Sequence, residues 1–171
     1  MDFALRWRLS GALTRSLTVK REPSIAIIGA GLAGLTCATA LKGLVSQVKI
    51  FEKELFPGGR IGRFCAGEYE FNHGAQFFTV YNPLFWNIVS AWQTDGIVRS
   101  WDAWVVELDK GHVCNSDLTS QRFIGQPHMQ MLVENLAQHC DLVCSSNICE
   151  VEKQDDGSWR LFNERGDYLG V

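Results

Sequence analysis

Three closely spaced glycines in the first third of the chain could hold a phosphate group. Residues 29–34 read Gly-Ala-Gly-Leu-Ala-Gly. In a dinucleotide site, Gly29 would permit a tight turn and Gly31 would let the backbone approach a pyrophosphate. Gly34 would allow a helix to pack closely on a strand. The spacing therefore predicts a phosphate-binding turn, provided that a strand precedes it and a helix follows.

An acidic residue lies further along at a fitting distance. Glu52 follows Gly34 near the spacing of about 20 residues at which a carboxylate accepts hydrogen bonds from ribose hydroxyls. The turn and the acid together predict a dinucleotide site. These two features do not separate NAD from FAD.

The flanking sequence predicts the elements that such a site needs. The apolar run at residues 25–28 indicates a strand buried on both faces of a parallel sheet. Apolar residues recur at helical spacing from Leu32 to Leu41, and Gly43 supplies a stop. A second strand at residues 48–51 leads directly into Glu52. These elements follow one another in the order strand, turn, helix, strand, which is the order of a Rossmann unit.

Two later segments carry a family resemblance. "KELFPGGRIGR" follows Glu52 directly, and "EYEFNHGAQFFT" occupies residues 68–79. The first resembles the FAD-containing amine oxidase superfamily, and "HGAQFFT" at 73–79 resembles its renalase-like branch of NAD(P)/FAD-dependent oxidoreductases. The resemblance implies FAD as cofactor, with hydride delivered to the flavin by a dihydronicotinamide or an amine, an NAD(P)H-like small-molecule donor.

The resemblance also implies which residues contact FAD. The glycine pair would cover the pyrophosphate, and the following arginine would add charge-assisted contacts. No nucleophile motif stands out, and we name no catalytic residue, because a flavin carries its own redox chemistry. The implied cofactor-binding residues are Gly29, Gly31, Leu32, Ala33, Gly34, Glu52, Lys53, Gly58, Gly59, Arg60, Gly74, Ala75, Gln76 and Phe77.

The second half of the chain continues the resemblance with several departures. Residues 122–137 resemble the segment in which a strand re-enters the FAD domain and a helix follows. Residues 142–151 indicate a strand, and residues 158–171 a hairpin that turns at 163–167. Departures from the family pattern are Asn72 for a frequent Asp, His128 for a frequent Gly, and the polar Gln126 and Gln130.

The middle of the chain is rich in aromatic residues. Phe85, Trp86, Val89 and Trp92 lie near helical spacing, and Trp101, Ala103 and Val105 alternate like a strand. We interpret these aromatics as core, with a flat pocket for a nicotinamide-like ring as the alternative. His112, His128 and His139 show no metal-ligand spacing and are expected on the surface or in ordinary packing, so we expect no metal site.

Composition limits the function classes. The chain has 171 residues, 46% of them hydrophobic, and a net charge of -3, which suits a globular domain and provides no basic surface for nucleic acid. No apolar run reaches the roughly 20 residues of a membrane span. Six cysteines without a C-x-x-C pair indicate free thiols in a reducing, cytoplasmic setting.

The expected fold class is an α/β Rossmann-type FAD/NAD(P)-binding domain with a small β-rich insertion. We divide the chain into two parts. Residues 1–22 are interpreted as an N-terminal extension, with an organelle transit peptide as the alternative. Residues 23–171 are expected to form an incomplete domain, truncated at its C-terminus and lacking most of the substrate domain. An unpaired sheet edge should result, to be covered by a missing C-terminal part or a partner chain.

Two other functions stay open. A truncated, non-catalytic remnant or nucleotide-binding module would fit the apparent incompleteness. An NAD-binding dehydrogenase subunit fits the first glycine turn but is disfavoured by residues 58–60 and by Gln76.

Overall fold

The computed structural model describes residues 23–103, 106–115 and 120–169, and these form a mixed α/β fold. A single 3₁₀ turn covers Gly59–Ile61. The helices are α1 (Leu32–Leu41), α2 (Pro83–Thr94) and α3 (Met131–Ala137). The strands are β1 (Ser24–Ile28), β2 (Gln47–Phe51), β3 (Arg63–Ala66), β4 (Tyr69–Asn72), β5 (Phe78–Thr79), β6 (Val98–Ser100), β7 (Val106–Asp109), β8 (His112–Asn115), β9 (Arg122–Gly125), β10 (Asp141–Val143), β11 (Ile148–Lys153), β12 (Trp159–Asn163) and β13 (Tyr168–Leu169).

A parallel sheet of three strands carries the predicted Rossmann unit. Its order is β1-β2-β10, and Phe51 of β2 lies in register with Ile28 on one side and Val143 on the other. The carboxyl ends of all three strands therefore meet at one edge, where ligands of open α/β sheets bind. The predicted strand, helix and second strand are confirmed.

The burial of β1 differs from the prediction. Residues 25–28 were expected to be buried on both faces, but the strand is only half-buried, and Ile28 is 55% exposed. The reason is that β1 pairs with β2 alone among the described strands, so its other edge is not covered by a neighbour.

Two apolar clusters hold the described part of the chain together. In the first, Leu35 and Ala38 of α1 pack with Ile50 of β2 and Val133 of α3, so both helices cover the parallel sheet. The second joins α2 to the antiparallel sheet β5-β9-β6 through the buried Val89, Trp92 and Phe123. The predicted helix is confirmed. The interpretation of its aromatic residues as core is confirmed for Trp92 but is wrong for Trp86, which is 41% exposed.

Helix α2 begins where local chemistry favours a helix start. The side chain of Asn82 accepts a hydrogen bond from the Leu84 N–H, and Pro83 occupies the first helical position. The β-rich insertion includes the hairpin β3-β4 before α2 and the hairpin β7-β8 after it, each a two-stranded sheet separate from β5-β9-β6.

Three predicted strand features need correction. Residues 101–103 lie outside any strand, while 104–105 fall outside the described residues. The single strand expected at 142–151 is two strands, β10 and β11, because the chain turns at Ser145, whose φ is +52°. Strand β9 joins β5 and β6, so the strand that extends the parallel sheet is β10.

The C-terminal hairpin is confirmed as far as the structure describes it. Strands β12 and β13 are antiparallel, with Phe162 opposite Tyr168. Residues 170–171 of the predicted hairpin, and the extension at 1–22, lie outside the described residues. None of the described helices has the length and apolar character that crossing a bilayer requires.

Candidate functional site

The first glycine turn has three glycines with three different environments. Gly29 adopts a φ of +102°, which favours glycine, and its N–H donates to the Phe51 carbonyl at 2.7 Å. A Cβ on Gly34 would lie 2.1 Å from the Gly29 oxygen, so α1 can pack on the turn only through a glycine. A Cβ on Gly31 would meet nothing within 4 Å. The turn therefore presents open backbone at Gly31.

The buried carboxylate of Glu52 fixes this turn. Glu52 is only 6% exposed, and one oxygen accepts the Ala30 N–H at 2.7 Å. The other oxygen accepts the Glu54 N–H at 3.0 Å. A carboxylate has about four acceptor sites, so capacity remains for further donors. The sequence predicts Glu52 as a ribose acceptor but does not reveal this second role of bracing the glycine turn.

The second glycine segment lies directly on the first. The Gly58 N–H donates to the Ala30 carbonyl at 3.2 Å, and Gly31 and Gly58 form an isolated parallel bridge. Gly59 has a φ of +55°, and a Cβ on it would lie 3.9 Å from the Gly31 Cα. Two glycine segments far apart in sequence thus lie against each other at the half-buried Gly31 and the buried Gly58.

A third segment packs against the backbone of Arg60. The Ala75 N–H donates to the Arg60 carbonyl at 2.9 Å, and a Cβ on Gly74 would lie 1.8 Å from that oxygen. His73 donates its N–H to the Gly62 carbonyl at 3.0 Å. Within the described part of the chain, the exposed guanidinium of Arg60 has no acidic partner.

Five other predicted site residues take different positions. The Gln76 amide donates to the Asn72 and Gly74 carbonyls at 2.9 and 3.2 Å and so closes its own loop. Phe77 packs on Trp101 with ring centroids 5.4 Å apart. Lys53 lies 3.6 Å from the carboxylate of its neighbour Glu54, and both are exposed. Leu32 is 37% exposed at the start of α1, and Ala33 beside it is also exposed.

A cleft of about 650 Å³ lies beside the junction of the glycine segments. Such a volume is ordinary for a small-molecule or cofactor site. Glu52, Lys53, Gly58, Gly59, Arg63 and Gln130 are among its lining residues.

Two polar residues form hydrogen bonds between chain segments near the cleft. Neither of them was assigned a role from the sequence. The buried Gln130 accepts the Arg63 N–H at 2.9 Å, which ties the start of α3 to β3. Asn72 accepts the Met129 N–H at 2.9 Å. Both positions stand out in the sequence as departures from the family pattern, and that was the only signal available.

A polar cluster of three side chains lies next to Gln130. The Arg63 guanidinium contacts Glu70 at 2.6 Å and His128 Nε2 at 3.0 Å. Because arginine only donates, Nε2 accepts and Nδ1 carries the hydrogen. That Nδ1 is buried and has no hydrogen-bond partner among the described residues. His128, expected on the surface or in ordinary packing, is thus a packed and partly hydrogen-bonded core residue.

Cys144 is a further neighbour of Glu52. Burial, and secondarily the nearby Glu52 charge, raise the pKa of the Cys144 thiol. Nearby, the Ser146 N–H donates to the Glu52 carbonyl at 2.8 Å. Among the described residues, no group of three His, Cys, Asp or Glu side chains is placed to hold a metal ion.

Comparisons with known proteins agree with this architecture. Residues 27–92 match the family model of the NAD(P)-binding Rossmann-like domain. The chain is 43% identical over 54 residues to the 1-hydroxycarotenoid 3,4-desaturase of Flavobacterium sp. (strain P99-3), and 42% identical over 65 residues to the zeta-carotene desaturase of Solanum lycopersicum. These matches cover 32% and 36% of this chain but only 11% of each relative.

A solved structure extends the likeness of the fold to most of the chain. The 2,6-dihydroxypyridine-3-hydroxylase from Arthrobacter nicotinovorans superposes with a TM-score of 0.57 at 17% identity, covering 87% of this chain and 35% of that one. The expected fold class, an α/β Rossmann-type domain, is confirmed. At this identity the likeness concerns the fold alone.

Proposed function

We propose that this chain is the cofactor-binding part of an FAD-dependent oxidoreductase of the renalase-like branch. One observation carries the proposal: the two glycine segments meet at the Gly31–Gly58 bridge, beside the buried Glu52. This junction lies at the carboxyl ends of the parallel strands, the usual ligand position of such sheets.

The residues present suit the pyrophosphate and a ribose of a dinucleotide. The N-terminus of α1 offers N–H groups without helical acceptors and a positive dipole end, which favour a pyrophosphate. The open space at Gly31 allows that anion to reach the backbone. Glu52 keeps acceptor capacity for ribose hydroxyls, and the unpaired Arg60 would neutralise phosphate charge.

The preference for FAD over NAD rests on the second glycine segment and on the relatives. The first turn is common to both cofactors, whereas the Gly58-Gly59-Arg60 segment packed against it resembles FAD-containing enzymes. The names of the matched sequence relatives, which are desaturases, describe oxidations. When bound, FAD would supply a two-electron acceptor for hydride from a dihydronicotinamide or an amine.

Anaerobic reduction of the FAD-loaded chain tests the proposal. The chain is mixed in turn with NADH, NADPH and benzylamine, and the visible flavin band is followed by stopped-flow absorbance. Free FAD at the same concentration is the control. We expect at least one donor to bleach the protein-bound flavin faster than free FAD. Bound flavin that photoreduction bleaches, but that no donor reduces, would favour a nucleotide-binding module.

A further inference from the structure

The antiparallel sheet has a second face that shares only Phe77 with the residues predicted to contact FAD. Phe78 and Phe123 are cross-strand partners and stack at 5.7 Å on the side of the apolar core. The next pair, Thr79 and Arg122, therefore lies on the opposite face. Arg99, paired with Ile124 on the other side of β9, shares that face. We call it the outer face of the β5-β9-β6 sheet.

The side chain of Arg122 on the outer face lies against an aromatic ring. Its guanidinium lies 5.2 Å from the centroid of Phe77, and Phe77 packs on Trp101. The Trp101 N–H donates to the Arg122 carbonyl at 2.9 Å, which fixes the two residues side by side. In the ranges that the structure describes, neither Arg122 nor Arg99 forms an ion pair. The outer face thus combines uncompensated positive charge with flat apolar rings.

Polar groups also lie near the Thr79 end of the outer face. The Tyr81 hydroxyl donates to Ser120 at 3.2 Å. Hydrogen bonds to Ser120 and then Thr79, together with the positive charge of Arg122, lower the pKa of Tyr81.

We propose that the outer face binds a planar conjugated carboxylate, such as an aryl carboxylate, with the carboxylate on Arg122 and the ring beside Phe77 and Trp101. The planar guanidinium fork matches a carboxylate in a bidentate manner. Aromatic rings prefer flat unsaturated partners in offset or edge contact. A singly charged planar anion suits one half-buried arginine that lies against an aromatic ring.

The position of this face suggests what the ligand does. Phe77 ends the loop that also contains Gly74 and Ala75, so a ligand on the outer face would lie next to the proposed cofactor segment. That this ligand is the substrate rests on the proposed oxidoreductase function. The binding of this ligand does not depend on the proposed function, because all the groups that would contact it belong to this chain.

Titration calorimetry of the whole chain with benzoate tests the proposal. Benzamide serves as the uncharged analogue, and cyclohexanecarboxylate as the charged but non-aromatic one. Arg122→Gln removes the charge, and Arg122→Lys keeps the charge but loses the planar fork. Arg165→Gln, at an exposed position in the turn between β12 and β13, is the matched control. Circular dichroism verifies that each variant is folded.

We expect benzoate to bind more tightly than either analogue. Arg122→Gln should weaken benzoate binding by about tenfold or more, as expected for losing a hydrogen bond to a charged group. Arg122→Lys should give an intermediate affinity, and Arg165→Gln should not differ from the unmodified chain. Benzoate that does not bind the folded chain, or that binds Arg122→Gln and Arg122→Lys as well as the unmodified chain, overturns the proposal.

A parallel FAD titration separates this proposal from the proposed function. If the chain binds benzoate through Arg122 but does not bind FAD, the outer-face site stands and the oxidoreductase assignment fails. If it binds FAD but not benzoate, the reverse holds.

Discussion

At the scale of single residues, the glycines of the first turn differ in what a side chain would meet. Gly34→Ala should lower the free energy of unfolding by about 1–3 kcal/mol, the usual cost of overpacking, because its Cβ would lie 2.1 Å from the Gly29 oxygen. Gly31→Ala is the matched control, since its Cβ has open space and its φ of -78° suits any residue. Urea denaturation of both variants checks this, and equal stabilities would contradict the packing at Gly34.

The pH dependence of Cys144 alkylation tests whether the Glu52 charge acts on this thiol. Because burial and the Glu52 charge raise its pKa, the thiol form should persist to higher pH than in an ordinary cysteine, whose pKa is about 8.5. Only the thiolate reacts with iodoacetamide, so the pH at which Cys144 is half-maximally alkylated should be elevated. Glu52→Gln should lower that pH.

Peptide mapping by mass spectrometry measures the alkylation at each cysteine separately. The exposed Cys149 in the same sample serves as the internal reference. A Cys144 profile that Glu52→Gln leaves unchanged would mean that the carboxylate does not act on this thiol.

At the scale of elements, the contact between α3 and β3 depends on a single buried amide. Gln130→Leu should leave the Arg63 N–H without its acceptor and cost about 1–3 kcal/mol of stability. It should also accelerate hydrogen exchange of the Arg63 amide. Gln138→Leu, exposed at the end of the same helix, should change stability by no more than about 0.5 kcal/mol. Unchanged exchange at Arg63 in Gln130→Leu would contradict the role of this bond.

Elements were predictable from sequence where one local signal sufficed. The helix from Leu32 to Leu41 has its apolar period and its glycine stop in adjacent residues, and its bounds are confirmed. The run at 142–151 has strand-like composition throughout, but the chain turns at Ser145, whose N–H donates to the Glu54 carbonyl. That bond joins residues far apart in sequence, and no local pattern contains it.

At the scale of the whole molecule, the sequence indicated the components of the site but not their contacts. The first turn and Glu52 follow from spacing, and the role of residues 58–60 follows from a family resemblance. That Glu52 directs one oxygen at Ala30, and that Gly74 lies against the Arg60 carbonyl, are tertiary facts. They explain why these positions need an acid and a glycine even before any cofactor binds.

The matches with known proteins cover only part of each of those proteins. The matched segments span 11% of each carotenoid desaturase, and the superposition covers 35% of the hydroxylase chain. The likeness therefore supports the cofactor-binding fold, and the substrates of those enzymes are not carried over to this chain. For this chain, the substrate question is better addressed through the outer face and Arg122.

The most direct test of the central claim is the ratio of FAD to protein in the purified chain after incubation with FAD, measured from visible absorbance. We expect a ratio near one for the unmodified chain. For Gly31→Trp we expect a ratio near zero, because its side chain would enter the open space that the pyrophosphate needs, while circular dichroism should be unchanged. A folded Gly31→Trp chain that retains stoichiometric FAD, or a folded unmodified chain that stays colourless, would contradict the proposed FAD site.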